Sequence, residues 1–187
     1  MSPRQAWRAI QSALPKDAII SSDIGNNCAI GNAYPSFEEG RKYLAPGLFG
    51  PCGYGFPAIA GAKIGKPNIP VVGFAGDGAF GISMNEMTAV GRGDWPAITM
   101  IIFRNYQWGA EKRNTTLWFD ENFVGTELNR DVRYADIARA CGLYGVQVTT
   151  MEQLTEELDK AIKAQMNENK TTFLEVVLNQ ELGEPFR

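Results

Sequence analysis

Two oxygen-bearing side chains, Asp77 and Asn105, each stand just past an apolar run, residues 69–75 for the first and 98–103 for the second. Asp77 sits in Gly76-Asp77-Gly78-Ala79-Phe80, and Asn105 opens Asn105-Tyr106-Gln107-Trp108-Gly109. The apolar runs read as buried strands, and residues 83–91 between them read as a helix. A strand–helix–strand crossover brings the C-terminal ends of both strands to one edge of a parallel sheet. Open α/β sheets bind their ligands at that edge. A carboxylate and an amide oxygen meeting there suit a hard divalent cation such as Mg²⁺. Glycines flanking Asp77 let the backbone approach a phosphate closely and aim N–H groups at it. A metal beside a phosphate points to a cofactor that carries a diphosphate. Gly-Asp-Gly alone is also a good turn. The Asn placed after the second strand makes the combined pattern specific.

The elements that must position these residues follow from the rest of the chain. Ser2-Pro3 starts a helix, with Ser2 as N-cap and Pro3 in the first turn, and Pro15 stops it. Residues 18–21 read as a short strand that ends in the loop Asp23-Ile24-Gly25-Asn26-Asn27. Residues 54–65 read as a buried helix rich in small and apolar side chains. Ser83-Met84-Asn85-Glu86 has the form of a capping box, which predicts a helix start at Ser83. Residues 133–141 read as a helix closed by Gly142, and residues 146–148 as a strand. Met151, Leu154, Leu158, Ile162 and Met166 mark one helix face, and residues 172–178 form the last strand. This alternation predicts an α/β fold: a mostly parallel sheet with helices on both faces. Residues 114–129 are aromatic and weakly periodic, which predicts a functional loop or an interface piece.

Bulk properties narrow the classes. The chain has 187 residues, enough for one domain with a sizeable core. A net charge of −3 does not favour a nucleic-acid surface. No apolar run approaches the ~18 residues of a membrane span, and the polar N-terminus does not read as a signal peptide. Cys28, Cys52 and Cys141 show no C-x-x-C spacing, so a reducing, cytoplasmic setting fits. The absence of histidine leaves no imidazole for proton transfer.

The paired motifs resemble the signature of the thiamine diphosphate (ThDP) enzymes. Over nearly its whole length the chain looks like the C-terminal, diphosphate-binding domain of those related to acetolactate synthase and pyruvate oxidase. The resemblance implies that Asp77, the Asn105 side chain and the Gln107 carbonyl ligate Mg²⁺. In the family an Asn precedes that ligand; here Arg104 stands in its place, at a position that is not a ligand. The loop holding Gly25, Asn26 and Asn27 is similar to the family's first diphosphate-contacting loop, and Gly78, Ala79, Trp108 and Gly109 are implied to line the same group. Residues 48–57 are similar to its aminopyrimidine-contacting loop. There the Gly50 carbonyl and the Cys52 N–H are implied contacts, and the Cys52 side chain falls where the family places a large apolar wedge.

Within that family the resemblance narrows to the sulfoacetaldehyde acetyltransferases. It is carried by Ser2-Pro3-Arg4-Gln5, residues 76–86, residues 105–112 and residues 181–187, with Gln107-Trp108-Gly109-Ala110-Glu111-Lys112 the most specific. Their reaction turns sulfoacetaldehyde and phosphate into acetyl phosphate and sulfite, so two anions must be held. Lys112 and Arg113 are candidates for that charge. An activating glutamate belongs to a separate pyrimidine-binding domain in the family, and 187 residues leave no room for it. Residues 1–187 are therefore expected to be a single domain, the C-terminal part of a longer enzyme or else one subunit of a split one. The full enzyme is expected to be a homo-oligomer, with the aromatics around Trp108 and Trp118 exposed as interface surface. Two other readings stand beside this one: an acetolactate synthase-like carboligase, and a cofactor-binding or assembly domain inactive alone.

Overall fold

Residues 1–37, 40 and 42–182 are described by a computed structural model. The tail Gly183-Glu184-Pro185-Phe186-Arg187, part of the stretch that carries the resemblance, lies outside the described residues. In chain order the elements are α1 (Pro3–Ala13), β1 (Ile19–Ser22), α2 (Asn26–Gly31), β2 (Tyr43–Leu44), α3 (Gly55–Gly65), β3 (Val71–Gly76), α4 (Asp77–Ser83), a 3₁₀ turn (Met84–Glu86) and α5 (Met87–Val90). They continue with β4 (Thr99–Arg104), α6 (Gly109–Trp118), α7 (Tyr134–Ala140), β5 (Tyr144–Val148), α8 (Met151–Glu168) and β6 (Thr172–Val177). The strands form one six-stranded sheet in the order β2-β1-β3-β4-β6-β5, and every neighbouring pair is parallel. The predicted α/β class with a parallel sheet holds.

Both faces of the sheet are covered, which is why its central strands read as unbroken apolar runs. Side chains alternate along β4. Ile101 and Phe103 join Trp7 and Ile10 of α1 and Leu154 and Leu158 of α8 on one face. Met100 and Ile102 join Phe56 and Ile59 of α3, Phe80 of α4, Met87 of α5 and Ala138 of α7 on the other. Phe74 in β3 is fully buried against Trp7, with ring centroids 4.7 Å apart. Truncating such a side chain to Ala typically costs about 3–5 kcal/mol.

Several boundaries differ from the sequence expectation, each for a local reason. Ser2 caps α1 in a full capping box with Gln5. The predicted box at Ser83 does not form: Ser83 makes no capping hydrogen bond. The helix has already begun at Asp77, because Gly76 ends β3 in extended backbone and the chain turns at once. Asn26 and Asn27 likewise open α2 rather than lie in a loop. The first five residues of the aromatic segment 114–129 are not a loop either, since α6 runs through Trp118. Met166, placed on the buried face of α8, is 37% exposed, and Gln165 is buried in its stead. Gln165 earns that position by hydrogen bonds to the Val71 backbone and to Thr99.

Candidate functional site

Three helices, α2, α4 and α6, begin at one cavity of about 240 Å³. Its wall includes Gly25, Asn26, Asn27, Gly50, Cys52, Asp77, Gly78, Ala79, Asn105, Gln107, Trp108 and Gly109. Each helix leaves its first N–H groups without intrahelical partners, and the dipoles favour an anion in front of them. All the residues expected at the diphosphate and metal therefore meet here. The β1–α2, β3–α4 and β4–α6 junctions lie together because β1, β3 and β4 are parallel neighbours.

Asp77 is 1% exposed and sits at the centre of the polar network. Its Oδ2 accepts hydrogen bonds from the Tyr106 N–H at 2.7 Å and from Arg104 Nη1 at 3.0 Å. Its Oδ1 accepts from the Gly78 N–H at 3.0 Å. Burial pushes the Asp77 carboxyl up from its usual 3.8, against the pull of the Tyr106 N–H and the Arg104 charge. The side-chain oxygen of Asn105 faces Asp77 Oδ1 and the Gln107 carbonyl, each 3.2 Å away, with no donor among the three; a half-turn of the amide would put its NH₂ there instead. Oxygens at neighbouring vertices of an octahedral Mg²⁺ site, with bonds of about 2.0–2.1 Å, are separated by roughly 3 Å. The donor set fits that ion. Among the described residues no three His, Cys, Asp or Glu side chains cluster around a metal-sized space. One carboxylate with an amide and a carbonyl is a sparse set, suited to a cation that keeps water and phosphate as further ligands.

The turn that presents these oxygens is held from outside. Tyr106 has a left-handed φ of 62°, unusual for a non-glycine residue. Trp108 N–H donates to the Thr126 carbonyl at 2.8 Å, and Leu128 N–H donates to the Tyr106 carbonyl at 2.9 Å. Residues 126–128, read from sequence as part of a functional loop or an interface piece, thus clip the Asn105–Gln107 turn in place. Trp108 is half-buried rather than exposed as expected, because its indole lies over Gly78. Trp118, at 75%, and Phe119, at 67%, are exposed as expected.

Sequence reading missed two buried carboxylates. Asp23 accepts from the Ile24, Gly53 and Gly55 N–H groups, tying the 23–27 segment to the 50–55 turn. Glu175 on β6 is fully buried beside Arg104 and accepts from the Ala135 N–H. The available signal was a charged residue within or directly after an apolar strand run. Cys28 and Cys52 both line the cavity. Burial, with the Asp23 charge adding to it, pushes the Cys28 thiol up to about 12. Burial and the charges of Asp23 and Glu111 raise Cys52 as well. Neither is a thiolate nucleophile at neutral pH. Lys112 lies outside the cavity wall, and its ammonium is paired with Glu127. Arg113 also lies outside the wall.

Residues 23–176 match the family described as thiamine pyrophosphate enzyme, C-terminal TPP binding domain. Across all 187 residues the chain is 75% identical to a sulfoacetaldehyde acetyltransferase of Roseovarius nubinhibens, covering 31% of that protein. It is 74% identical over the same span to a sulfoacetaldehyde acetyltransferase of Rhodobacter capsulatus, covering 32% of it. The chain thus spans about a third of the length of the curated relatives it matches. Among solved structures, a thiamine diphosphate-dependent 4-hydroxybenzoylformate decarboxylase of Rhodococcus jostii RHA1 superposes with a TM-score of 0.84 at 22% identity, over 98% of this chain and 33% of that one.

Proposed function

This chain belongs to the thiamine pyrophosphate enzymes, as their C-terminal TPP-binding domain, and we propose that it anchors the ThDP diphosphate through Mg²⁺ in an enzyme converting sulfoacetaldehyde and phosphate to acetyl phosphate and sulfite. The observation that carries the anchoring role is the Asn105 amide placed 3.2 Å from both Asp77 Oδ1 and the Gln107 carbonyl. The substrate assignment draws on the 75% identity to the Roseovarius nubinhibens enzyme over every residue of this chain.

When bound, ThDP would supply a nucleophilic carbon for attack on the aldehyde and an electron sink for the loss of sulfite. Asp77, Asn105 and Gln107 would hold Mg²⁺. The starts of α2, α4 and α6 would receive the diphosphate, with Gly25, Asn26, Asn27, Gly78, Ala79, Trp108 and Gly109 as its walls. Gly25 has a φ of 127°, a conformation that brings the backbone of the first turn up to the anion without a side chain in between. The Gly50 carbonyl and the Cys52 N–H would meet the aminopyrimidine, and the neutral Cys52 side chain would act as a small apolar wedge. Lys112 would exchange Glu127 for a substrate sulfonate or phosphate. An exposed pair of this kind is worth only about 0–1 kcal/mol, so an anion can displace it.

A cavity of about 240 Å³ is smaller than the roughly 300–1,000 Å³ of a complete small-molecule site. This supports a half-site, closed by a pyrimidine-binding domain from the two-thirds of the relatives' length that this chain does not cover. The test is product analysis on an enzyme that unites this chain with that remaining portion. Acetyl phosphate and sulfite from sulfoacetaldehyde and phosphate are expected. Acetolactate from pyruvate, with no acetyl phosphate from sulfoacetaldehyde, would overturn the substrate reading.

A further inference from the structure

Arg104 closes β4 on the sequence side of the metal-facing turn, and its side chain is 1% exposed. Nη1 donates to Asp77 Oδ2 at 3.0 Å, and Nη2 donates to the Val132 carbonyl at 3.0 Å and to the Asn129 carbonyl. Nε lies 3.5 Å from Glu175 Oε1, itself on a side chain that is 1% exposed. The guanidinium also lies over the Tyr106 ring, 4.3 Å from its centroid, and near the Tyr134 ring at 5.0 Å. Tyr134 in turn donates its hydroxyl to the Asp77 carbonyl at 3.1 Å. One cation is therefore fixed between two buried carboxylates and two rings, on four separate chain segments. A lysine has neither the fork nor the plane to make these contacts at once.

The consequence falls on Asp77. With Arg104 and the Tyr106 N–H both directed at Oδ2, that oxygen is saturated, and only Oδ1 faces Asn105 and Gln107. A carboxylate held this way offers one oxygen to a metal and cannot rotate to offer two. Mg²⁺ demands near-ideal octahedral geometry with short bonds, whereas Ca²⁺ takes more ligands and readily accepts both oxygens of one carboxylate. We propose that Arg104 is a positioning residue that restricts Asp77 to one-oxygen ligation and so sets the preference of this site for a small octahedral cation over a larger one. This rests on the diphosphate-anchoring role given above. Arg104 touches neither metal nor substrate and acts through Asp77.

The experiment is a calorimetric titration of the full chain with Mg²⁺ and with Ca²⁺, each in the presence of ThDP, giving the ratio of the two affinities. R104K keeps the charge and removes the fork. R104M combined with E175Q removes the cation without leaving Glu175 charged opposite it. The preference for Mg²⁺ over Ca²⁺ should fall tenfold or more in either variant. An unchanged ratio in a variant whose circular dichroism matches the parent overturns the role of Arg104. Carbon-13-edited infrared spectra of the unaltered chain with Ca²⁺ give a second measurement that needs no substitution. The Asp77 carboxylate stretch should keep the one-oxygen pattern, and a two-oxygen pattern would also overturn the proposal. If the chain binds neither cation with ThDP, the anchoring role itself fails, and this proposal fails with it.

Discussion

The indole of Trp108 occupies the space that a β-carbon on Gly78 would need, with the nearest ring atoms 2.8 Å from that position. Gly78 is thereby fixed by packing as well as by any approach of a phosphate. Gly78→Ala should force the ring aside, at a cost of about 1–3 kcal/mol for overpacking. For a chain of this size that corresponds to a loss of roughly 2–12 °C in melting temperature. Thermal denaturation checks it. A variant as stable as the parent would mean that Trp108 yields without cost.

The Asp77 carboxyl, raised by burial above 3.8, makes metal binding sensitive to acid. A raised pKa means that protonation favours the folded, metal-free chain. That contribution is fully present below 3.8 and is lost as pH rises through the higher folded value. Mg²⁺ needs the ionised form, so it competes with the proton. The stabilisation conferred by Mg²⁺ with ThDP should be full at neutral pH and shrink on acidification, beginning above pH 3.8. Melting curves with and without the pair, taken from pH 7 downward, test this. A metal-induced shift that stays constant down to pH 4 would contradict it.

Much of this architecture was legible in the sequence because the periodicities were strong. The parallel sheet followed from unbroken runs such as residues 98–103, and the meeting of Asp77 and Asn105 at one cavity followed from their lying just past two such runs. What was not legible depended on contacts between distant segments. Nothing near Asp23 in the sequence reveals that its carboxylate caps Gly53 and Gly55. Arg104 read as a neutral departure from the family, because its partners Asp77, Asn129, Val132 and Glu175 converge only in the fold. The helix start at Asp77 was misplaced to Ser83 because a local capping pattern outweighed the tight turn at Gly76.

Lys112→Met should separate substrate binding from cofactor binding. Lys112 lies outside the cavity wall and pairs with Glu127. In the complete enzyme the substitution should raise the KM for sulfoacetaldehyde or phosphate about tenfold, the scale of one charge-assisted hydrogen bond. ThDP affinity should stay near the parent value. A fall in ThDP affinity with unaltered KM values would assign Lys112 to the cofactor instead.

Phe49 is 92% exposed, Val124 80% and Trp118 75%, with Leu48 and Phe119 beside them. Apolar side chains of this size in open water mark surfaces that are covered in an assembly. The chain by itself should self-associate through them. Replacing Phe49 and Trp118 with Ser should reduce that association, read as sedimentation coefficient against concentration, while leaving the melting temperature nearly unchanged. A parent chain that stays monomeric at all concentrations would argue that this surface has no second copy to meet.

The central claim is that Asp77, Asn105 and the Gln107 carbonyl hold the metal that binds a diphosphate to this chain. Calorimetric titration of the chain with ThDP, with Mg²⁺ and then with the metal removed by chelation, tests it most directly when repeated on Asp77→Ala. The account requires ThDP to bind with Mg²⁺, to be lost on chelation, and to be lost in Asp77→Ala at any Mg²⁺ concentration. ThDP affinity that is unchanged by chelation, or unchanged by Asp77→Ala, would contradict it.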